Sequence, residues 1–438
     1  MSPHLVAILV LAGIFLVGTL RSINLGALAL VASFLVGTWV FGKSAANVLS
    51  GFPASLFVIL VGVTYLFAIA KNNGTVDWLV QWSVRAVRGH VAAIPWVMFV
   101  LSGALVALGA LSPAAVAIIA PIGMALGAQY GINPMLMGLM VVQGSSAGNF
   151  SPLGVLGVIT NGIVGKSHLP GSPAVLFLSN VVFNLLLAIG VYFAFGGRKL
   201  IRQGRRAVEN AEPTDTTPSG GVALQTATVT ETETETETVK LNRERTITVL
   251  GLTALVVGSL VFDLDIGLLS LSVAVVVTLL APAGAKGALS HVSWNVVLLI
   301  CGIVTYVGLL ESVGTVRYLG DGIASISAPA LAALVICFVG AIVSAFASTT
   351  GILGALIPLA VPLLASGQVG AIGLVAALSI SASVVDSSPF STNGALVVAN
   401  SPEDQQAVVY KRLTLWGLGL VLVAPIVTWT LLVLTGWW

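Results

Sequence analysis

One carboxylate and a run of hydroxyls stand in the stretch VVDSSPFSTNG, residues 384 to 394, inside an otherwise apolar part of the chain. Asp386 is the only charged side chain between Asp321 and Glu403. An acid at mid-bilayer costs about 2.5–3.5 kcal/mol on insertion scales, so such groups face a cavity, find a partner, or serve ion or proton movement. No Lys or Arg is near Asp386 in sequence to neutralise it. Two roles fit the residue types. Asp386 could cap a helix near the interface, hydrogen-bonded to Ser387 and Ser388; or it could stand at a helix break, where hydroxyls and freed carbonyls bind a cation or a proton.

The break has a chemical cause. Pro389 removes a backbone donor, Asn393-Gly394 permits turn geometry, and nearby hydroxyls re-satisfy freed backbone groups. The stretch GSSAGNFSPLG, residues 144 to 154, holds an equivalent set with Pro152 and Gly154, and Asn149 takes the place of Asp386. From residue 91 to 165 there is no Asp, Glu, Lys or Arg. Half-helix N-termini attract anionic groups, while carbonyls at breaks coordinate Na⁺ or similar ions. Two such breaks facing two hairpin tips would form a substrate site with cation sites beside it.

Other chemistries lack their residues. The histidines His4, His90, His168 and His291 are scattered at span ends, and no intramembrane acid pair, His-Glu metal motif or nucleophile with a nearby base is present. The stretch ITNGIVGKS ends like a phosphate-binding loop but has Thr160 where the first Gly is needed. An enzyme and an ATP-driven pump are therefore disfavoured, and no cofactor is implied. Cys301 and Cys337 lie in apolar helical stretches and behave as small hydrophobes. A net charge of +2, spread over loops, gives no nucleic-acid face.

These residues need a membrane scaffold to position them. The 438-residue chain is 57% hydrophobic and 8% charged, which excludes an ordinary soluble domain. Apolar runs long enough to cross a bilayer predict spans at 3–20, 25–42, 52–70, 132–164, 174–196, 246–263, 266–282, 293–312, 369–400 and 413–435. MSPHL has no Lys or Arg before the first run, so that run is expected to be a retained span rather than a secretory signal. Residues 91–129, folded back at LSPAA, and 329–366, folded back at STTG, read as re-entrant hairpins.

The polar stretch 198–245, with its ETETETETV run, reads as a disordered linker between two transmembrane repeats, 1–197 and 246–438. NNGTVDWL at 72–79 and SVGTVRYL at 312–319 share Gly-Thr-Val at a spacing of 240; farther on the spacing is 237, which sets Pro121 on Pro358 and Ser151-Pro152 on Ser388-Pro389. Five spans per half make the second repeat inverted. With the linker cytoplasmic, 15 of the 18 Lys and Arg fall inside, and only Lys43, Lys166 and Arg317 fall outside. Both termini are then outside. Segments 75–89 and 315–327 are expected to be amphipathic arms.

This arrangement resembles the ion transporter superfamily that contains the divalent anion/sodium symporters, and most of all its MatC-type dicarboxylate carriers. In those symporters each hairpin tip carries Ser-Asn-Thr about ten residues before a proline. Here the second tip has Ser348-Thr349-Thr350 ahead of Pro358, whereas the first has Leu111-Ser112-Pro113 ahead of Pro121. Ser391-Thr392-Asn393 resembles the family's helix-break motif; Gly154-Val155 is the weaker first-half counterpart. The resemblance implies cation sites at Ser348, Thr349, Asp386 and Ser391, and at Ser112, Asn149 and Gly154. It implies a substrate site at Pro113, Thr350, Thr392 and Asn393. It further implies an all-α protein of the inner (plasma) membrane, a homodimer working as an elevator, that moves small dicarboxylates such as malonate with Na⁺ or H⁺. A cation antiporter centred on Asp386 is the competing reading.

Overall fold

The computed structural model describes residues 2–21, 23–86, 90–202, 242–262, 264–315, 318, 328–345, 349–365 and 367–436. The ETETETETV run, most of the second arm and Ser348 lie outside the described residues. Among those described, helices account for the structure and no strand occurs.

The first half runs α1 Pro3–Leu20, α2 Leu25–Leu35, α3 Ala54–Asn72, the amphipathic α4 Thr75–Ala86, then α5 Ile94–Ala107 and α6 Ser112–Gln129, α7 Pro134–Gly148 and α8 Val155–Lys166, and α9 Pro173–Ala194. The second half runs α10 Arg243–Leu260, α11 Ile266–Leu280, α12 Trp294–Ser312, α13 Pro329–Ser344 and α14 Thr349–Ala365, α15 Ala371–Val384 and α16 Thr392–Ala399, and α17 Gln406–Thr428. The starts are written locally. Pro134 and Pro173 occupy first-turn positions where no donor is needed, and the side chains of Asn133 and Ser172 accept from Met135 and Val175 amides.

Some limits differ from the expected spans. The 25–42 span is α-helical only to Leu35 and continues as a π-turn, Val36–Val40. The last span begins at Gln406, seven residues before the expected start at 413, because polar Gln406 and Lys411 extend the helix past the apolar run. Six described helices are long and apolar enough to cross a membrane by themselves. Ser112–Gln129 is one of them, although its first turn stands in a central cavity rather than at a surface. The most apolar 18-residue window of the broken stretch 371–399 is 89% buried and that of Pro173–Ala194 only 28%, so the broken helix lies inside and the span after the first break faces outward.

Some helices pack within their own half and some across the halves. α2 lies on α12 and α3 on α11; α5 lies on α7 and α13 on α15; α8 lies on α14 and α16 on α6. Without a hydrophobic drive between helices in lipid, such contacts rely on small residues that let backbones approach. A Cβ on Gly26 would sit 1.9 Å from the Leu298 carbonyl oxygen, and one on Gly302 would sit 1.9 Å from that of Gly26. In the Gly144-x-x-x-Gly148 pair of α7, added Cβ atoms would fall 2.1 Å from Phe99 O and 2.3 Å from Gly103 O of α5.

Gly144→Leu or Gly148→Leu is therefore expected to abolish monodisperse protein in size-exclusion chromatography. Gly190→Leu on α9, where nothing lies within 4 Å of the added Cβ, is expected to leave the profile unchanged.

Candidate functional site

Four helices begin at one place. The first residues of α6 (Ser112), α8 (Val155), α14 (Thr349) and α16 (Thr392) all line a cavity of about 300 Å³ between the two hairpin tips and the two helix breaks. Each N-terminus presents unpaired amides and a partial positive charge. Among the described residues no Lys or Arg lines this cavity, and Asp386 is the one charged side chain that does. Among the described residues no group of three His, Cys, Asp or Glu could hold a metal, so the oxygen donors here are hydroxyls, carbonyls and one carboxylate.

At the second break α15 ends in a short 3-10 turn, Val385–Ser387, and the chain restarts as α16. The Ser391 hydroxyl caps α16 by accepting from Gly394 N and donates to the carbonyls of Ser388, at 2.8 Å, and Asp386. The Asp386 carboxylate is half-buried and accepts from the Thr349 hydroxyl, 2.9 Å from each oxygen. Because Thr349 donates its proton there, Ser344, 2.7 Å away, donates to Thr349. The carboxylate is thus tied to the second hairpin by a hydroxyl chain. Ser388 Oγ adds a bond to Ala345 O at 3.3 Å.

A second chain joins the halves. Asn393 Nδ2 donates to Ser112 Oγ at 2.9 Å; Ser112 and Ser145 hydroxyls are 2.9 Å apart; Ser145 donates to Val142 O at 2.8 Å. At the first break Ser151 donates to Ala107 O at 2.6 Å and accepts from Gly154 N at 2.8 Å. Among the buried amide atoms without a partner are Asn149 Nδ2 and Asn393 Oδ1. Both residues line the cavity. Buried polar groups are seldom left unpaired, and orphans of this kind at a cavity are the usual mark of a ligand or ordered water.

The structure therefore brings Ser112, Pro113, Asn149, Thr349, Thr350, Asp386, Ser391, Thr392 and Asn393 to one cavity. Gly154 is not on its wall; it is the N-cap residue of α8, one position ahead of the lining Val155. Ser348 is outside the described residues. Sequence reasoning missed Ser145 and Ser344, which lie one packed helix away from the residues they bond. It also missed Asn180, whose amide donates to Ser146 O at 2.8 Å and Ala147 O at 3.0 Å, carbonyls freed where α7 ends. The four-residue spacing of Asn180 and Asn184 in an otherwise apolar helix was the available signal. Asn184 in turn donates to Asn180 O and Oδ1, both at 2.9 Å.

Residues 1–149 match the family profile described as the dicarboxylate carrier protein MatC N-terminus, and residues 257–437 match that of a citrate transporter, CitMHS. No curated protein matches the chain. Among solved structures, the YdaH transporter of Alcanivorax borkumensis is similar over 100% of this chain and 99% of its own, with a TM-score of 0.58 at 13% identity. At that identity the likeness is one of fold: an all-helical, multi-pass membrane protein.

Asp386→Asn preserves the size of the side chain while removing its charge. Expected is an unchanged yield of folded protein, with the dependence of solute uptake on a Na⁺ or H⁺ gradient reduced about tenfold, the size of a 1.4 kcal/mol effect. Unchanged ion dependence would leave Asp386 as a helix cap only.

Proposed function

We propose that this chain, which belongs to the ion transporter superfamily, is a secondary active transporter of small dicarboxylates of the malonate or C4 class, driven by Na⁺ or H⁺. Its membership makes it a carrier and not an enzyme. The observation that carries the finer reading is the convergence of four helix N-termini on a cavity of about 300 Å³ without a basic side chain. That volume is at the lower end of small-molecule sites, which run from about 300 to 1,000 Å³.

In this reading the free amides of α6, α8, α14 and α16 meet the two carboxylates of the substrate. Thr350, Thr392 and the unpartnered Asn149 Nδ2 supply further donors, with Pro113 and Asn393 completing the wall. Asp386 makes coupling obligatory. A dianion and a carboxylate in one cavity repel; at 4 Å one such charge pair costs about 4 kcal/mol at an effective dielectric constant of 20. A proton on Asp386, or Na⁺ held by Asp386, Thr349, Ser391 and Ser348, removes that cost and must arrive with the substrate. The equivalent first-half site, Ser112, Asn149 and Gly154, has no carboxylate and would bind a cation more weakly.

Alternating access is expected to move the hairpins and broken helices as a body against the other spans, an elevator, within a homodimer of the inner membrane. The linker is placed in the cytoplasm and both termini outside. Contacts in the structure support that sidedness. Arg245 Nε donates to Asn73 O at 3.1 Å and Asn72 Nδ2 to Lys286 O at 3.4 Å, so chain segments assigned to the inside by charge are neighbours.

A second reading rests on Asp386 alone: a lone carboxylate facing a cavity also suits a cation antiporter. Uptake of radiolabelled malonate and succinate into proteoliposomes, with Na⁺ and pH gradients imposed separately, distinguishes the two. Accumulation driven by one gradient is expected and names the ion. Failure under both, with folded protein present and pH-driven Na⁺ flux retained, would replace dicarboxylate transport by cation exchange.

A further inference from the structure

A second cavity, of about 750 Å³, opens at the end of α7 away from the first break. It is enclosed by the end of α6, the first turn of α7, the turn that follows α9, and α17 with the loop ahead of it. Its wall carries two cations from segments far apart in the chain, Lys199 just after α9 and Arg412 in α17. Among the described residues no Asp or Glu lines it; Glu403 and Asp404 are exposed in the loop that supplies Pro402 and Gln405, but are off the wall. Neither cationic side chain has an ion pair or hydrogen bond among the described residues.

Two cations on one wall without an acid carry a repulsion that an anion between them removes. The 15-residue α7 adds the positive end of its dipole, since Pro134 and the capping Asn133 both line the cavity. The remaining wall is largely apolar: Ile132, Leu136 and Leu200 are buried, Phe195 is half-buried and Val408 exposed. Phe195 also meets Trp416, one turn beyond Arg412, with ring centroids 6.4 Å apart, and so joins the ends of α9 and α17.

Cations set among apolar walls suit an amphiphilic anion, and the place of the cavity selects its kind. α9 and α17 are the least buried of the six long spans, each with 28% of its apolar window inside the protein. Their outer faces meet lipid. With the linker in the cytoplasm, as proposed above, the cavity stands at the inner leaflet, whose anionic lipids are drawn to Lys and Arg and fill basic pockets between helices.

We infer that this cavity binds an anionic phospholipid, with the headgroup phosphate held by Lys199 and Arg412 beside the start of α7 and the first acyl carbons against Leu136, Phe195 and Val408. A free phosphate ion shares the headgroup chemistry but would leave the apolar wall uncovered. A lipid seated here bridges α6, α7 and α17, and a ligand that binds only the folded state stabilises it. The inference does not depend on which solute the protein carries.

The test is thermal unfolding of the full-length protein, stripped of lipid in detergent and titrated with dioctanoyl phosphatidylglycerol. A saturable rise in midpoint is expected, with none for dioctanoyl phosphatidylcholine. Lys199→Gln and Arg412→Gln change exposed side chains and leave the fold intact; each is expected to weaken the apparent affinity about fivefold, and the two together about thirtyfold, the weight of one and two basic side chains toward an anionic lipid. Lys199→Arg and Arg412→Lys are expected to keep it. Lys411→Gln, exposed and off the wall, is expected to behave as the unchanged protein. Ala128→Trp narrows the cavity with both cations in place, and is expected to weaken binding as well.

No saturable shift, an equal shift from phosphatidylcholine, or an equal loss in Lys411→Gln would overturn the site, the last by reducing it to general surface charge. The same shift from inorganic phosphate or glycerol phosphate would overturn the lipid as its occupant. Because the readout is binding and not uptake, failure here leaves the dicarboxylate reading untouched, and failure of that reading leaves this site standing.

Discussion

In a hydrocarbon solvent every backbone donor and acceptor must be paired inside the protein, and this chain interrupts two of its helices. Everything around the cavity answers that constraint. Asn180 takes the carbonyls freed at the end of α7, Ser151 accepts from the Gly154 amide just ahead of α8, Ser391 caps α16, and Ser388 bonds the end of α13. The first residues of α6, α8, α14 and α16 all line one cavity, and the proposed anion site rests on that convergence.

The same economy explains the absence of Lys and Arg from the cavity wall. A fixed cation would bind a dianion well and release it poorly. In the proposed transport reading, four helix ends spread a partial charge over the site, and the remaining neutralisation is left to an ion that comes and goes with the substrate. In that reading Asp386 makes the empty site hostile to anions until a cation or proton is present.

Close packing of glycines is the structural counterpart. α5 lies on α7 through Phe99, Gly103, Gly144 and Gly148, so the first hairpin and the first break form one tightly joined unit. The chain Asn393, Ser112, Ser145 extends that unit into the second half. By contrast, Lys166 reaches the spans around the site through one long side chain bonded to a loop carbonyl.

Sequence by itself determined the membrane location, the order of spans, the two breaks and most residues that meet at the cavity, because each depends on local properties: apolar run length, Pro and Gly placement, and a carboxylate with no partner nearby. Span ends were legible only to within a few residues, since the π-turn after Leu35 and the polar start of α17 leave no mark in hydropathy. Only tertiary structure decided that the four N-termini converge, that Asn149 and Asn393 keep orphaned amide atoms, that Gly154 caps a helix instead of lining the wall, and that Ser145, Ser344 and Asn180 complete the bonding. Those facts depend on which helix faces which across residues far apart in sequence, and helical periodicity in a chain apolar on nearly all sides carries no record of that choice.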